Sequence, residues 1–114
     1  MNKIIPAPSF MKEAKRLNKK YASFSDDYEK LLVELEANPS LGTDLGGGLR
    51  KIRMQITSKG KGKSGGARVI TFTVIASMEE AEINLLYIYD KSERANITKE
   101  EIKELLVKNR LTDI

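Results

Sequence analysis

The hydrophobic repeat of this chain changes period near the middle, and this change limits the folds that the chain can adopt. Up to about residue 38, apolar residues recur at intervals of three and four, which is typical of amphipathic helices. From Leu49 onward they recur at intervals of two, which is typical of strands. The total of 114 residues is the length of one domain, so we expect residues 1–114 to form a single domain with one hydrophobic core.

Two helices are predicted before the change of period. Ser9 is expected to cap the first helix, which runs to about Lys20. Ser25 is expected to begin the second helix, which ends at Asn38 because Pro39 follows. Together they predict a helical hairpin. Their apolar stripes comprise Phe10, Ala14, Leu17 and Tyr21 in the first helix and Tyr28, Leu31, Leu32 and Leu35 in the second.

Four strands are predicted. A short edge strand is expected before Pro6, because proline cannot donate to a sheet ladder. A glycine-rich connection without periodicity at 41–48 precedes the next strand. In that strand the alternation places Ile52, Met54 and Ile56 on one side and Lys51, Arg53, Gln55 and Thr57 on the other. The remaining segments are a glycine- and lysine-rich loop at 58–66, an apolar central strand at 67–75 and a third long strand at 83–89.

The last helix has the clearest local signature. Thr98 and Glu101 form a capping box, and Ile97 is positioned to contact Ile102 as a hydrophobic staple. The predicted fold class is therefore α+β, in the order β-α-α-β-β-β-α. A helical hairpin packs on a twisted, mainly antiparallel sheet, and a C-terminal helix follows.

Positive charge is concentrated in the middle of the chain. Between Leu45 and Met78 there is no Asp or Glu, although seven cations lie there: Arg50, Lys51, Arg53, Lys59, Lys61, Lys63 and Arg68. The first predicted helix is also basic, with Lys12, Lys15, Arg16, Lys19 and Lys20 outside its apolar stripe. Such a block indicates a polyanion or an acidic protein as partner. The alternative is a solvated loop flanked by surface lysines.

The residues that are absent exclude several classes of chemistry. Without cysteine there are no disulfides, zinc ribbons or thiol nucleophiles, and this fits a reducing compartment. Without histidine there is no imidazole acid–base chemistry. No apolar run approaches the roughly 20 residues of a membrane span, and the first residues do not resemble a signal peptide. We expect a cytoplasmic protein with no membrane partner.

Nucleotide hydrolysis and metal catalysis are both disfavoured. The Gly60–Gly66 stretch resembles a phosphate loop, but Thr57 stands where a Walker A motif needs glycine, and a strand follows instead of a helix. The acidic residues lie on predicted helix surfaces or in turns, so no carboxylates converge on a cation. We expect no metal site and no cofactor.

Metal-free RNA cleavage, or binding alone, remains possible on a cationic sheet face. Lys51 and Arg53 share one face of their strand, Arg68 opens the strand expected beside it, and Tyr89 and Lys91 end the next. Cleavage by the RNA's own 2′-hydroxyl needs a base, stabilisation of negative charge on the phosphorane, and an acid for the leaving oxygen. Lysine, arginine and tyrosine can fill these roles. The alternative is that each residue belongs to a solvated strand face or to the core.

Three stretches of sequence resemble the RelE/ParE superfamily of bacterial toxins, and most of all its RelE/HigB-type branch. They are Leu49–Arg53, Gly60–Ile70 and Leu85–Lys91, and Pro8-Ser9-Phe10 before a lysine-rich helix also matches. The resemblance runs from Pro8 to about Leu106. It implies a toxin of a type II toxin–antitoxin system that cleaves mRNA on the ribosome and is blocked by a cognate antitoxin.

The resemblance also implies roles for individual residues. Arg68 matches the arginine that contacts the scissile phosphate, Lys51 and Arg53 match basic strand positions that hold RNA or act in acid–base catalysis, and Lys91 lies near a second basic cluster. We include Tyr89 as a catalytic candidate, since the position where some members carry a catalytic tyrosine is about Thr98 here. Candidates for contacts to RNA or the ribosome are Lys12, Lys15, Arg16, Lys19, Arg50, Lys59, Lys61, Lys63 and Arg94.

Two other functions remain open at this stage. ParE-like members of the superfamily inhibit DNA gyrase and do not cut RNA. A relative that binds nucleic acid without catalysis would need only the basic block.

Overall fold

A computed structural model describes residues 2–112 of the chain and has an α+β fold. The strands are β1 (Lys3–Pro6), β2 (Thr43–Gly46), β3 (Leu49–Met54), β4 (Ala67–Ile75) and β5 (Ala81–Asp90). The helices are α1 (Pro8–Lys20), α2 (Phe24–Ala37) and α3 (Lys99–Lys108), and a 3₁₀ turn spans Thr57–Lys59. Between residues 2 and 112, no helix is both long enough and apolar enough to cross a membrane.

The five strands form one mixed sheet in the order β1-β5-β4-β3-β2. The predicted antiparallel pairing of the three long strands is confirmed, with β4 at the centre. β1 lies at one edge, as predicted, and runs parallel to β5. A bulge between Ile70 and Thr71 shifts the register of β4 against β5.

The glycine-rich connection contains a strand that the sequence did not predict. β2 lies at the other edge of the sheet and pairs with β3 through an irregularity between Asp44 and Gly46. Leu45 alone is half-buried in this strand, while its other residues are exposed. A strand of four residues with one partly buried side chain shows no hydrophobic alternation in the sequence. It is recognised only by its pairing with β3.

The start of α1 corrects a second prediction. Ala7 is the N-cap and Pro8 occupies the first helical turn, where its missing N–H costs nothing. Ser9 therefore lies inside the helix, and its N–H donates to Asn109 Oδ1 at 3.1 Å. The second helix starts one residue before the predicted Ser25, with Ser23 as its N-cap.

Helices cover both faces of the sheet. The α1–α2 hairpin buries its predicted stripes against one face, and α3 covers part of the other. The predicted capping box holds α3, since the N–H of Glu101 donates to Thr98 Oγ1 and the N–H of Thr98 to Glu101 Oε1, each at 3.1 Å. The predicted site lies on the same face of the sheet as α3. This helix covers only part of that face.

Candidate functional site

Strand register brings predicted catalytic residues into one row across the sheet. Arg68 on β4 stands opposite Arg53 on β3 and opposite Tyr89 on β5. Lys51 lies two residues before Arg53 and so points to the same face. Side chains directly opposite each other on paired strands have Cβ atoms about 5 Å apart. We call Lys51, Arg53, Arg68 and Tyr89 the cationic cluster.

The Arg68 guanidinium is buried beneath the segment 60–66, which we call the glycine loop. Nη1 donates to the carbonyl oxygen of Lys63 at 3.1 Å, and Nη2 donates to that of Ser64 at 3.0 Å. Arg68 as a whole is 7% exposed. Of the carboxylates in residues 2–112, none lies within 4.0 Å of this guanidinium. Carbonyl dipoles thus orient Arg68, while no carboxylate of the described residues neutralises its positive charge.

Tyr89 places a phenol beside two guanidinium groups. Its hydroxyl is buried and has no hydrogen-bond partner among the described residues. The Arg94 guanidinium lies 5.6 Å from the centroid of its ring. Burial raises the pKa of Tyr89, against the nearby charges of Arg68 and Arg94, which lower it. The phenol therefore keeps its proton at neutral pH.

The segment 91–97, which follows β5, contacts the cationic cluster through several side chains. Asn96 Oδ1 accepts a hydrogen bond from Lys51 Nζ at 2.9 Å. Arg94 is held over Tyr89 by Glu101, whose two oxygens accept from Nη2 at 2.6 and 2.8 Å. Lys91, in contrast, donates to the carbonyl of Ala95 within its own loop at 2.6 Å, so its ammonium is not directed at the cluster.

Apart from Arg94, which lies over Tyr89, the candidate RNA-binding residues occupy three places in the fold. Lys61 and Lys63 are exposed on the glycine loop, next to Arg68, and Lys63 Nζ lies 3.8 Å from Glu34 Oε2. Lys12, Lys15, Arg16 and Lys19 lie on the basic side of α1, and α1 packs on the opposite face of the sheet. Lys12 nevertheless lines a cavity with Tyr87 and Arg94. Arg16 is engaged with Glu13 and Glu93.

Arg50 and Lys59 are placed away from the cluster. The Arg50 guanidinium donates to the carbonyls of Ser40 and Gly42, at 2.9 and 3.1 Å, and so fastens the connection that precedes β2. The Lys59 side chain is 7% exposed, and its ammonium lies 2.7 Å from Asp90 Oδ1. Both cations therefore bind groups within the fold and point away from the cationic cluster.

Three residues near the site are not among the candidates predicted from the sequence: Tyr87, Asn96 and Asp90. Tyr87 shares a row with Lys51 and Ile70, and its ring centroid is 6.4 Å from that of Tyr89. The two-residue spacing from Tyr89 could have indicated it. Asn96 and Asp90 gave no signal, because an irregular loop and a buried ion pair have no sequence period.

Two buried carboxylates give the fold a predictable response to acid. Burial would raise the pKa of Asp90, but hydrogen bonds from Lys59, Tyr21 and Ser92 hold it well below its usual range. Burial would also raise the pKa of Asp27, but hydrogen bonds from Thr57 and Ser23 keep that pKa below its usual value.

We therefore expect the free energy of unfolding to fall as the pH drops below about 4. Carboxylates with a lowered pKa in the folded state stabilise it above the pKa of the unfolded chain, and this contribution disappears on acidification. The expected loss between pH 5 and pH 3 is roughly 1–2 kcal/mol. Urea denaturation at a series of pH values measures it, and an unchanged free energy across this range would contradict the assignment.

Acidic side chains do not gather into a metal site in the part of the chain that the structure describes, where no group of three or more possible ligands is found. The family described as the RelE toxin of the RelE/RelB toxin–antitoxin system matches this chain over residues 8–111.

Proposed function

Since the chain belongs to the RelE toxin family, whose members pair with an antitoxin, we propose that it cleaves mRNA on the translating ribosome and so inhibits translation. The proposal includes cleavage without a metal ion and a cognate antitoxin as protein partner. The observation that carries it is the row of Arg53, Arg68 and Tyr89, in which an unpaired guanidinium stands beside a protonated, unpartnered phenol.

The chemistry follows from these groups. The 2′-oxygen of the RNA bonds to the adjacent phosphorus, the bond from phosphorus to the 5′-oxygen breaks, and a 2′,3′-cyclic phosphate forms. Arg68 and Arg53 stabilise the negative charge that builds on the phosphate oxygens. Tyr89 donates its proton to the departing 5′-oxygen. Lys51, in its unprotonated amine form, is the group of the cluster that would accept the proton of the 2′-hydroxyl.

Binding to the ribosome would use the lysines outside the cluster. Lys61 and Lys63 extend the positive surface from Arg68 into solvent, and the basic side of α1 offers a second contact region. Contacts of this kind release counterions from RNA, so we expect affinity for ribosomes to fall as the salt concentration rises.

A cell-free translation reaction tests the proposal directly. Purified protein is added, and mRNA 3′ ends are mapped in the presence and absence of translating ribosomes. We expect cuts in phase with codons that appear only during translation. Intact mRNA combined with growth arrest in cells would contradict the proposal and would make a gyrase supercoiling assay the next step. Intact mRNA without growth arrest would favour a non-catalytic relative that binds nucleic acid.

A further inference from the structure

We propose that Asp90 is a positioning residue, a buried carboxylate that holds both loops around the cationic cluster in the arrangement needed for cleavage. The link between Asp90 and activity rests on the proposed function. The contacts of Asp90 with the two loops are independent of that function.

The position of Asp90 in the sheet puts its carboxylate between the two loops. It is the last residue of β5, is fully buried, and stands opposite Ala67, where β4 begins. The glycine loop ends just before Ala67, and the segment 91–97 starts just after Asp90. The Asp90 side chain therefore lies where the chain leaves the glycine loop and enters the segment 91–97.

Donors from three different segments share this carboxylate. Oδ1 accepts from Lys59 Nζ at 2.7 Å and from the hydroxyl and N–H of Ser92 at 2.7 and 2.9 Å. Oδ2 accepts from the hydroxyl of Tyr21 at 2.5 Å, and Lys20 Nζ lies 3.4 Å away. The carboxylate thus joins the end of α1 to the entrances of both loops.

The two loops that begin at these entrances hold side chains of the candidate site in position. Lys59 ends the 3₁₀ turn, and the glycine loop that leaves it supplies the carbonyls that orient Arg68. Ser92 is the second residue of the segment 91–97, which carries Arg94 and Asn96. The loops are also linked directly, since the N–H of Lys91 donates to the carbonyl of Gly66 at 3.0 Å. A shift at Asp90 would therefore move Arg68 relative to Tyr89.

The negative charge of Asp90 is required for this arrangement. The Lys59 ammonium is almost fully buried, and a buried charge needs an opposite charge with satisfied hydrogen bonds. An asparagine would carry no charge and offer one acceptor oxygen, so the Lys59 ammonium would lose its counter-charge and the Tyr21 hydroxyl would have to accept from NH₂ instead of donating. The Asp90→Asn change should therefore release Lys59 and loosen the entrance to the glycine loop.

The experiment compares Asp90→Asn with Glu93→Gln. Glu93 is the control for the loss of a carboxylate that pairs with Lys20: it pairs with Lys20 and Arg16 but makes no contact with the glycine loop, so its effect on the rate constant at saturation is the quantity compared. Single-turnover cleavage of ribosome-bound mRNA is measured over a range of toxin concentrations. We expect Asp90→Asn to lower the rate constant at saturation by about 10–100-fold, with half-saturation changed by less than about threefold. Glu93→Gln should keep the rate constant at saturation within about twofold of the wild-type value.

A second readout follows loop position without any substrate. The ¹⁵N–¹H signal of Arg68 Nε and the exchange rate of the Lys91 amide are compared among wild type, Asp90→Asn and Glu93→Gln. We expect a displaced Arg68 signal and faster Lys91 exchange in Asp90→Asn alone. A folded Asp90→Asn protein with wild-type values for both, or with a wild-type rate constant, would overturn the proposal.

Two further outcomes are also decisive. If Asp90→Asn does not fold, Lys59→Met replaces it, since this change frees the glycine loop while Asp90 keeps Tyr21, Ser92 and Lys20. The same loss of rate and displaced Arg68 signal are expected, and wild-type behaviour would overturn the proposal. If the wild-type protein cleaves no mRNA, the proposed function fails, and the Arg68 signal alone then decides whether Asp90 positions the loop.

Discussion

Replacing Arg68 with alanine is expected to lower the rate constant for mRNA cleavage by about 10²–10³-fold, the usual cost of losing one donor that stabilises a developing oxyanion. The guanidinium is fixed by the carbonyls of Lys63 and Ser64, and no carboxylate among residues 2–112 neutralises it. Its charge is therefore already oriented when the phosphate arrives. Quantifying 3′ ends in the translation reaction measures the loss.

Arg50→Ala is the matched control for this prediction. Arg50 also lies in the sheet and also donates to two backbone carbonyls, but those belong to the connection before β2. Its rate constant for cleavage should stay within about threefold of the wild-type value, because Arg50 contributes no charge to the site. A folded Arg68→Ala protein that cleaves as fast as Arg50→Ala would remove Arg68 from the mechanism.

Gly66→Ala is expected to reduce the free energy of unfolding by roughly 3 kcal/mol or more, at the upper end of the range for overpacking. A Cβ at this position would lie 2.2 Å from the carbonyl oxygen of Met54 and 3.0 Å from the N of Ile56. Both are backbone atoms, so no change of rotamer relieves the clash, and the chain after β3 must move away from the start of β4. Urea denaturation measures the loss.

Gly62→Ala separates this steric effect from the general cost of altering a glycine loop. Gly62 has a φ of +65°, but a Cβ there would meet nothing within 4 Å. Only the left-handed backbone conformation opposes the substitution, at a cost of about 1–2 kcal/mol. Equal destabilisation by the two substitutions would show that the contact with Met54 is unimportant.

Elements defined by neighbouring residues could be predicted from the sequence, whereas elements defined by distant contacts could not. The capping box of α3 and the alternation of β3 depend on residues a few positions apart, and both are confirmed. β2 exists because it pairs with β3. Ser9 was assigned as a cap because serine favours that position, but Pro8 fits the first helical turn better.

The same distinction applies to the candidate site. Alternation predicts that Lys51 and Arg53 share one face of β3, and the same alternation places Arg50 on the other face. The row of Arg53, Arg68 and Tyr89 depends on the register between three strands and on a bulge that no local pattern indicates. The burial of Lys59 depends on Asp90, a residue 31 positions away.

The strand that the sequence did not reveal also affects how the protein behaves at high concentration. A long, flat strand at a sheet edge offers a row of unpaired backbone groups on which another chain can add, and this leads to aggregation. Here β2 has four residues and a register irregularity, and at the other edge β1 also has four and ends in Pro6. Short, interrupted edges therefore shield the apolar central strands β4 and β5 from intermolecular strand addition.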